Sequence, residues 1–151
     1  AGIVTMSPWT DLTCSGESHK TNFLNDPQFG NTTDSMLYNC PYIGDADPMD
    51  PYLSPMFGGY GKMPPMLMQV GGNEVLLSDT LVVADKVRAA CGKLRVSVYD
   101  GMFHVFQMAL RLIPESQEAW NEVGAFLQII YGIRRKPEGK VVRRVKSGRK
   151  K

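Results

Sequence analysis

The sequence predicts an α/β fold built on a parallel sheet, and three features predict it. Short apolar, β-branched runs stop abruptly at Pro or Gly. Other stretches repeat apolar residues at helical spacing. The two kinds of segment follow the order strand, irregular insertion, strand, helix, strand, helix, as a parallel α/β sheet requires. With 151 residues, 43% hydrophobic and 21% charged, the chain has ordinary globular composition and about one domain's length. No apolar run approaches the roughly 18 residues needed to span a bilayer.

The first strand is Ile3 to Met6, ended by Ser7-Pro8, because proline cannot donate to a sheet ladder. It is apolar on both alternating faces, as expected of a strand buried between helices. From Asp11 to about Tyr60 the pattern dissolves into Gly, Pro, Asn, Asp and Ser with scattered aromatics. Fifty residues without strong periodicity suggest a lid or binding wall. Within them Asp34 is a candidate cap for a turn holding Met36, Leu37 and Tyr38. The second strand, Met66 to Val70, ends at Gly71-Gly72. Leu76, Leu77, Thr80, Leu81, Ala84, Val87 and Arg88 then repeat at helical spacing, with Cys91-Gly92 as the stop. The third strand, Leu94 to Tyr99, alternates more than the others and is the candidate sheet edge. A last helix begins near Pro114, with Trp120, Val123, Leu127 and Ile130 as its apolar stripe.

Three cysteines, Cys14, Cys40 and Cys91, have no CxxC spacing and leave one unpaired under any pairing. A disulfide framework or zinc site is not expected, and a reducing compartment is favoured. The net charge of +2 conceals an asymmetry. Residues 134–151 hold ten Lys or Arg and one acid, for +9, whereas the first 133 hold seven bases and fourteen acids, for −7. The tail reads as solvated, or as a contact for an anionic partner. The N-terminus has neither Met nor a charged leader, so it is not a signal peptide and further sequence is expected upstream.

Two short segments carry the chemistry. Gly71-Gly72-Asn73-Glu74 puts a carboxylate just past the carboxyl end of one strand, and Asp100-Gly101-Met102-Phe103-His104 puts an imidazole just past the next. Parallel sheets build their sites at these ends. Acid before histidine is the chain order of one well-known hydrolase triad. In such a pair the carboxylate holds the imidazole tautomer and stabilises the imidazolium.

Three stretches together resemble the hormone-sensitive-lipase family of esterases, which have the α/β-hydrolase fold: Ser7-Pro8-Trp9-Thr10-Asp11-Leu12, Pro64-Pro65 through Glu74-Val75-Leu76-Leu77-Ser78-Asp79, and Tyr99-Asp100-Gly101-Met102-Phe103-His104-Val105-Phe106. The resemblance runs from Ala1 to about Ile133. It implies a partial α/β-hydrolase fold in which this chain supplies the last three of eight parallel strands with flanking helices. It also makes Glu74 the triad acid and His104 the general base, with Asp79 the alternative acid. Asp11 becomes a loop-holding residue and residues 22–60 a cover over the acyl pocket. Phe23, Phe29, Tyr42 and Phe57 are candidate wall residues. No cofactor or metal is implied.

The family's Gly-x-Ser-x-Gly elbow and its Gly-rich oxyanion loop are absent from this sequence. Gly16-Glu17-Ser18-His19-Lys20 comes nearest, but it lacks the second Gly and follows the wrong strand. The expectation is therefore part of a carboxylic-ester hydrolase, inactive alone and completed by an N-terminal half on the same or another polypeptide. The alternatives are a non-catalytic structural or interaction subunit, or a truncated gene product.

Overall fold

A computed structural model describes residues 1–133; the basic tail, 134–151, and the anionic contact expected of it lie outside the described residues. Strands β1 (Ile3–Met6), β2 (Met66–Gly71) and β3 (Leu94–Tyr99) form one parallel sheet in the order β1-β2-β3. Ile3 stands opposite Met66 and Met66 opposite Leu94. The strands therefore start level, and the loops leaving their carboxyl ends meet at one rim. Helices α1 (Ser18–Thr21), α2 (Leu77–Ala89) and α3 (Pro114–Tyr131) complete the regular structure, with short 3-10 turns at Pro55–Phe57 and Phe106–Ala109.

The central strand β2 is buried along its whole length. On one face Met66 and Met68 pack with Val83, Ala84 and Val87 of α2 and with Met56 from the insertion. On the other, Gln69 donates to the Ala119 carbonyl of α3 at 3.0 Å. Helices thus cover both faces, which is why β2 reads as apolar on both. Among the described residues β3 lies at an edge, as its alternation predicted. β1 lies at the opposite edge, since among the described residues its one partner is β2.

Two helical stripes differ from expectation. In α2 the buried positions are Asp79, Thr80, Val83, Ala84 and Val87, while Leu81 is exposed. In α3 the buried positions are Ser116, Ala119 and Val123, while Trp120 and Leu127 face outward. A polar cluster accompanies the rotation of α3. Glu122 accepts hydrogen bonds from Gln69 Nε2 at 2.7 Å, Ser97 Oγ at 2.6 Å and Tyr99 OH at 3.2 Å, and it pairs with Arg95. Burial alone pushes its carboxyl up, but these donors and Arg95 hold it below the ordinary range. A helix that turns a carboxylate to the sheet must turn some apolar residues away. In the insertion, the turn at 35–39 forms, but the Ser35 carbonyl closes it, accepting from the Tyr38 and Asn39 N–H groups. Asp34 contributes only its own N–H, to Thr32 Oγ1.

Candidate active site

The loops after β2 and β3 are bound to each other. Gly72 N–H donates to Tyr99 O at 2.8 Å and Asn73 N–H to Met102 O at 3.1 Å. This approach needs glycine at position 71, where a Cβ would lie 2.3 Å from the Met102 carbonyl oxygen. Gly101 takes φ +73 in the return turn.

The lashed loops bring Glu74 and His104 together. Glu74 is fully buried, and its Oε2 lies 3.1 Å from His104 Nδ1. Its Oε1 accepts from Gly71 N–H and from Ser7 Oγ, each at 2.6 Å. The imidazole is 16% exposed, and among the described residues no group hydrogen-bonds Nε2. A ring tied at Nδ1 to a carboxylate offers the Nε2 lone pair to an incoming hydroxyl.

Asp79 is occupied elsewhere. From the first turn of α2 it accepts Thr10 N–H at 2.7 Å and Asp11 N–H at 2.8 Å, and its Oδ1 lies 3.3 Å from His19 Nε2. Burial by itself would lower the His19 pKa, but the bond to Asp79 and the neighbouring Cys14 raise it to about 9. Asp11 holds its own loop, accepting Thr13 N–H and Ser15 N–H at 2.8 Å each. Burial pushes that carboxyl up, yet the Ser15 and Thr13 donors carry it below the ordinary value. Ser18 is buried and committed, its hydroxyl donating to Val75 O and accepting Ser78 N–H at 2.8 Å.

Of the four aromatic candidates, Phe29 meets the pair, edge to face with His104 at a centroid distance of 4.6 Å. Phe23 packs against Tyr38 at 6.3 Å, Phe57 ends a 3-10 turn, and Tyr42 is 76% exposed. Three residues with no role predicted from sequence fasten this region. Asn22 Nδ2 donates to Gly72 O at 2.9 Å and Glu74 O at 2.8 Å. Buried Asp26 accepts Val75 N–H at 2.9 Å and Phe29 N–H at 3.0 Å, linking the acid loop to the segment that carries Phe29. Ser7 is the third. Asn22 and Asp26 stand in a loop-forming stretch where such residues ordinarily serve local turns, so only the fold reveals their long-range partners. Among the described residues no cluster of three or more His, Cys, Asp or Glu suits a metal ion.

The chain has relatives. An acetyl-hydrolase from Streptomyces hygroscopicus is 33% identical over 132 residues, spanning 87% of this chain and 44% of its own length. An esterase from Acinetobacter venetianus is 32% identical, spanning 83% and 42%. Among solved structures, EstE5 soaked with ethyl alcohol superposes with a TM-score of 0.81 at 32% identity, covering 87% of this chain and 44% of that one. An esterase from the bacterial hormone-sensitive lipase family superposes with a TM-score of 0.79 at 33% identity, covering 85% and 43%. The chain thus spans less than half the length of the relatives it matches. The family described as alpha/beta hydrolase fold matches residues 1–108. The chain belongs to the alpha/beta hydrolase fold family and, within it, is similar to the hormone-sensitive-lipase type of esterase.

Proposed function

We propose that this chain supplies the acid and base of a serine-type carboxylic-ester hydrolase, with His104 as general base and Glu74 as its orienting carboxylate. The observation that carries the reading is the 3.1 Å contact from Glu74 Oε2 to His104 Nδ1, which leaves Nε2 unbonded among the described residues. In the complete site Nε2 takes the proton of a serine hydroxyl as that oxygen attacks the ester carbonyl, and Glu74 stabilises the imidazolium. The imidazolium returns the proton to the leaving alcohol. Water then releases the acyl group by the same route in reverse. Phe29 stands against the imidazole and forms one wall for the substrate. The relative named acetyl-hydrolase favours a small acyl ester, and the one named esterase favours an ester of unspecified acyl group.

The sequence holds no Gly-x-Ser-x-Gly, so the nucleophile and oxyanion hole belong to an N-terminal half outside these 151 residues. Removing the serine of a serine hydrolase costs about 10⁶ in turnover, so the chain by itself is inert. The test joins it to the upstream portion of the Streptomyces acetyl-hydrolase and follows p-nitrophenyl acetate. The expected result is turnover that His104→Ala and Glu74→Gln each abolish, with none from the isolated chain. Turnover in the joined protein indifferent to His104→Ala would overturn the assignment. So would His104-dependent turnover by the chain alone, which would put a nucleophile within it.

A further inference from the structure

Two residues beside the Glu74–His104 pair hold backbone that side chains ordinarily avoid. Ser7, directly after β1, has φ +49, and Val105, directly after His104, has φ +51. Left-handed backbone suits glycine and is least favourable for a β-branched residue such as valine. Strain of this kind persists where the surroundings over-determine it, and it gathers at functional sites.

One hydrogen bond joins the two strained residues. Val105 N–H donates to Ser7 Oγ at 3.0 Å, across 98 positions of sequence. Ser7 Oγ lies in turn 2.6 Å from Glu74 Oε1. The directions are fixed by chemistry. An amide N–H only donates, so the hydroxyl accepts from Val105 and gives its single proton to Glu74. Ser7 is 4% exposed, and its own N–H bonds Gln69 O at 2.7 Å. One buried hydroxyl therefore ties the end of β1 to the acid loop and to the histidine loop. With Oε1 held by Ser7 and Gly71, Oε2 is the oxygen left to face Nδ1.

Glycine would relieve the strain at position 7 and keep the turn. What glycine lacks is the hydroxyl. We infer that Ser7 is a positioning residue for the hydrolase pair, its hydroxyl orienting the Glu74 carboxylate and the backbone of Val105 so that His104 carries its neutral-form proton on Nδ1. This rests on the reading of Glu74 and His104 as acid and base. Ser7 acts through them, since its oxygen is fully engaged and makes no bond to His104.

The test uses the 151-residue chain labelled with ¹⁵N-histidine, at a concentration where light scattering gives the monomer mass. With two histidines in the sequence, two rings are observed, and their ¹⁵N shifts report which nitrogen holds the proton when the ring is neutral. Buried His19 serves as the internal report of folding. The wild-type His104 ring is expected in the Nδ1–H form. In Ser7→Gly and in Glu74→Gln it is expected to shift substantially to the Nε2–H form, with the His19 signals of Ser7→Gly unchanged. Ser7→Gly with the wild-type tautomer, while Glu74→Gln loses it, would make Ser7 a turn residue and overturn the inference with the pair intact. Loss of the His19 signals in Ser7→Gly would show that the hydroxyl serves the fold as a whole, which also overturns it. A wild-type ring without preference for Nδ1–H, or one indifferent to Glu74→Gln, would remove the pair itself.

Discussion

The chain contains two histidines, and each sits against a buried carboxylate with a different result. His104 keeps one nitrogen available at the rim. His19 is sealed, 5% exposed, with Nε2 on Asp79. Its pKa is raised to about 9, above the ordinary 6.5, so its contribution to stability has a defined sign. The folded state binds the proton more tightly than the unfolded state. That contribution is complete below about pH 6.5 and fades as pH rises toward 9, with a size on the order of 3 kcal/mol. Thermal unfolding between pH 6 and 10 should show the melting temperature falling across this window. In His19→Gln the fall should be largely absent; an equally steep fall there would assign the effect to other groups. That Glu74 and His104 meet was legible in the sequence because each lies on the loop that follows an apolar strand, and neighbouring parallel strands bring such loops to one rim. Ser7 was not, because its partners lie 67 and 98 positions away and no local pattern encodes them.

At the scale of elements, the strands were legible because β-branched and apolar runs ending at Pro or Gly leave few other conformations. Ile3–Met6 and Leu94–Tyr99 have the bounds read from sequence, and β2 extends one residue further, to Gly71. Helix faces were less so. An apolar stripe fixes a face only when packing is the sole demand, and in α3 the bonds from Glu122 to Gln69, Ser97 and Tyr99 compete with it. The end of α2 divides two tasks between neighbours. Cys91 takes the left-handed position at φ +57, the usual place of a C-terminal glycine. Gly92 provides close approach instead, since a Cβ there would lie 2.9 Å from the Val87 carbonyl oxygen. Cys91 is exposed and unpaired. Cys91→Gly should therefore stabilise the chain by about 0.5–1 kcal/mol through relief of strain, even though glycine loosens the unfolded state. Denaturant titration measures it, and a loss of stability would mean the thiol packs more usefully than its exposure indicates.

For the whole molecule, the distribution of apolar surface bears on how these residues behave in solution. β1 is uncharged from Ile3 to Met6 and, among the described residues, is paired on one side only. Natural sheet edges are protected by charge, proline, a bulge or a covering element, and within this strand there is no charge or proline. Elsewhere Leu112 is 88% exposed, Ile129 79%, Tyr131 72%, and Leu110 and Ile133 58% each. Met108, Leu110, Leu112 and Trp120 line an open, largely apolar cleft of about 480 Å³. An apolar side chain left in water forgoes roughly 1.5–3 kcal/mol of burial energy. That is a large share of the 5–15 kcal/mol that holds a typical domain together. Relatives about twice as long have further chain with which to cover such surfaces. The isolated chain should therefore self-associate, with light scattering giving a mass that rises above 16.8 kDa as concentration increases. Val4→Lys, which puts a charge on the half-buried edge strand, should move the mass back toward the monomer. If association persists in Val4→Lys, it runs through the exposed residues of α3 and the cleft instead. A wild-type chain that stays monomeric at every concentration and unfolds in one sharp, reversible transition would show that the three-stranded sheet is a sufficient domain. The proposal that a second half completes it would then have to rest on the missing nucleophile alone.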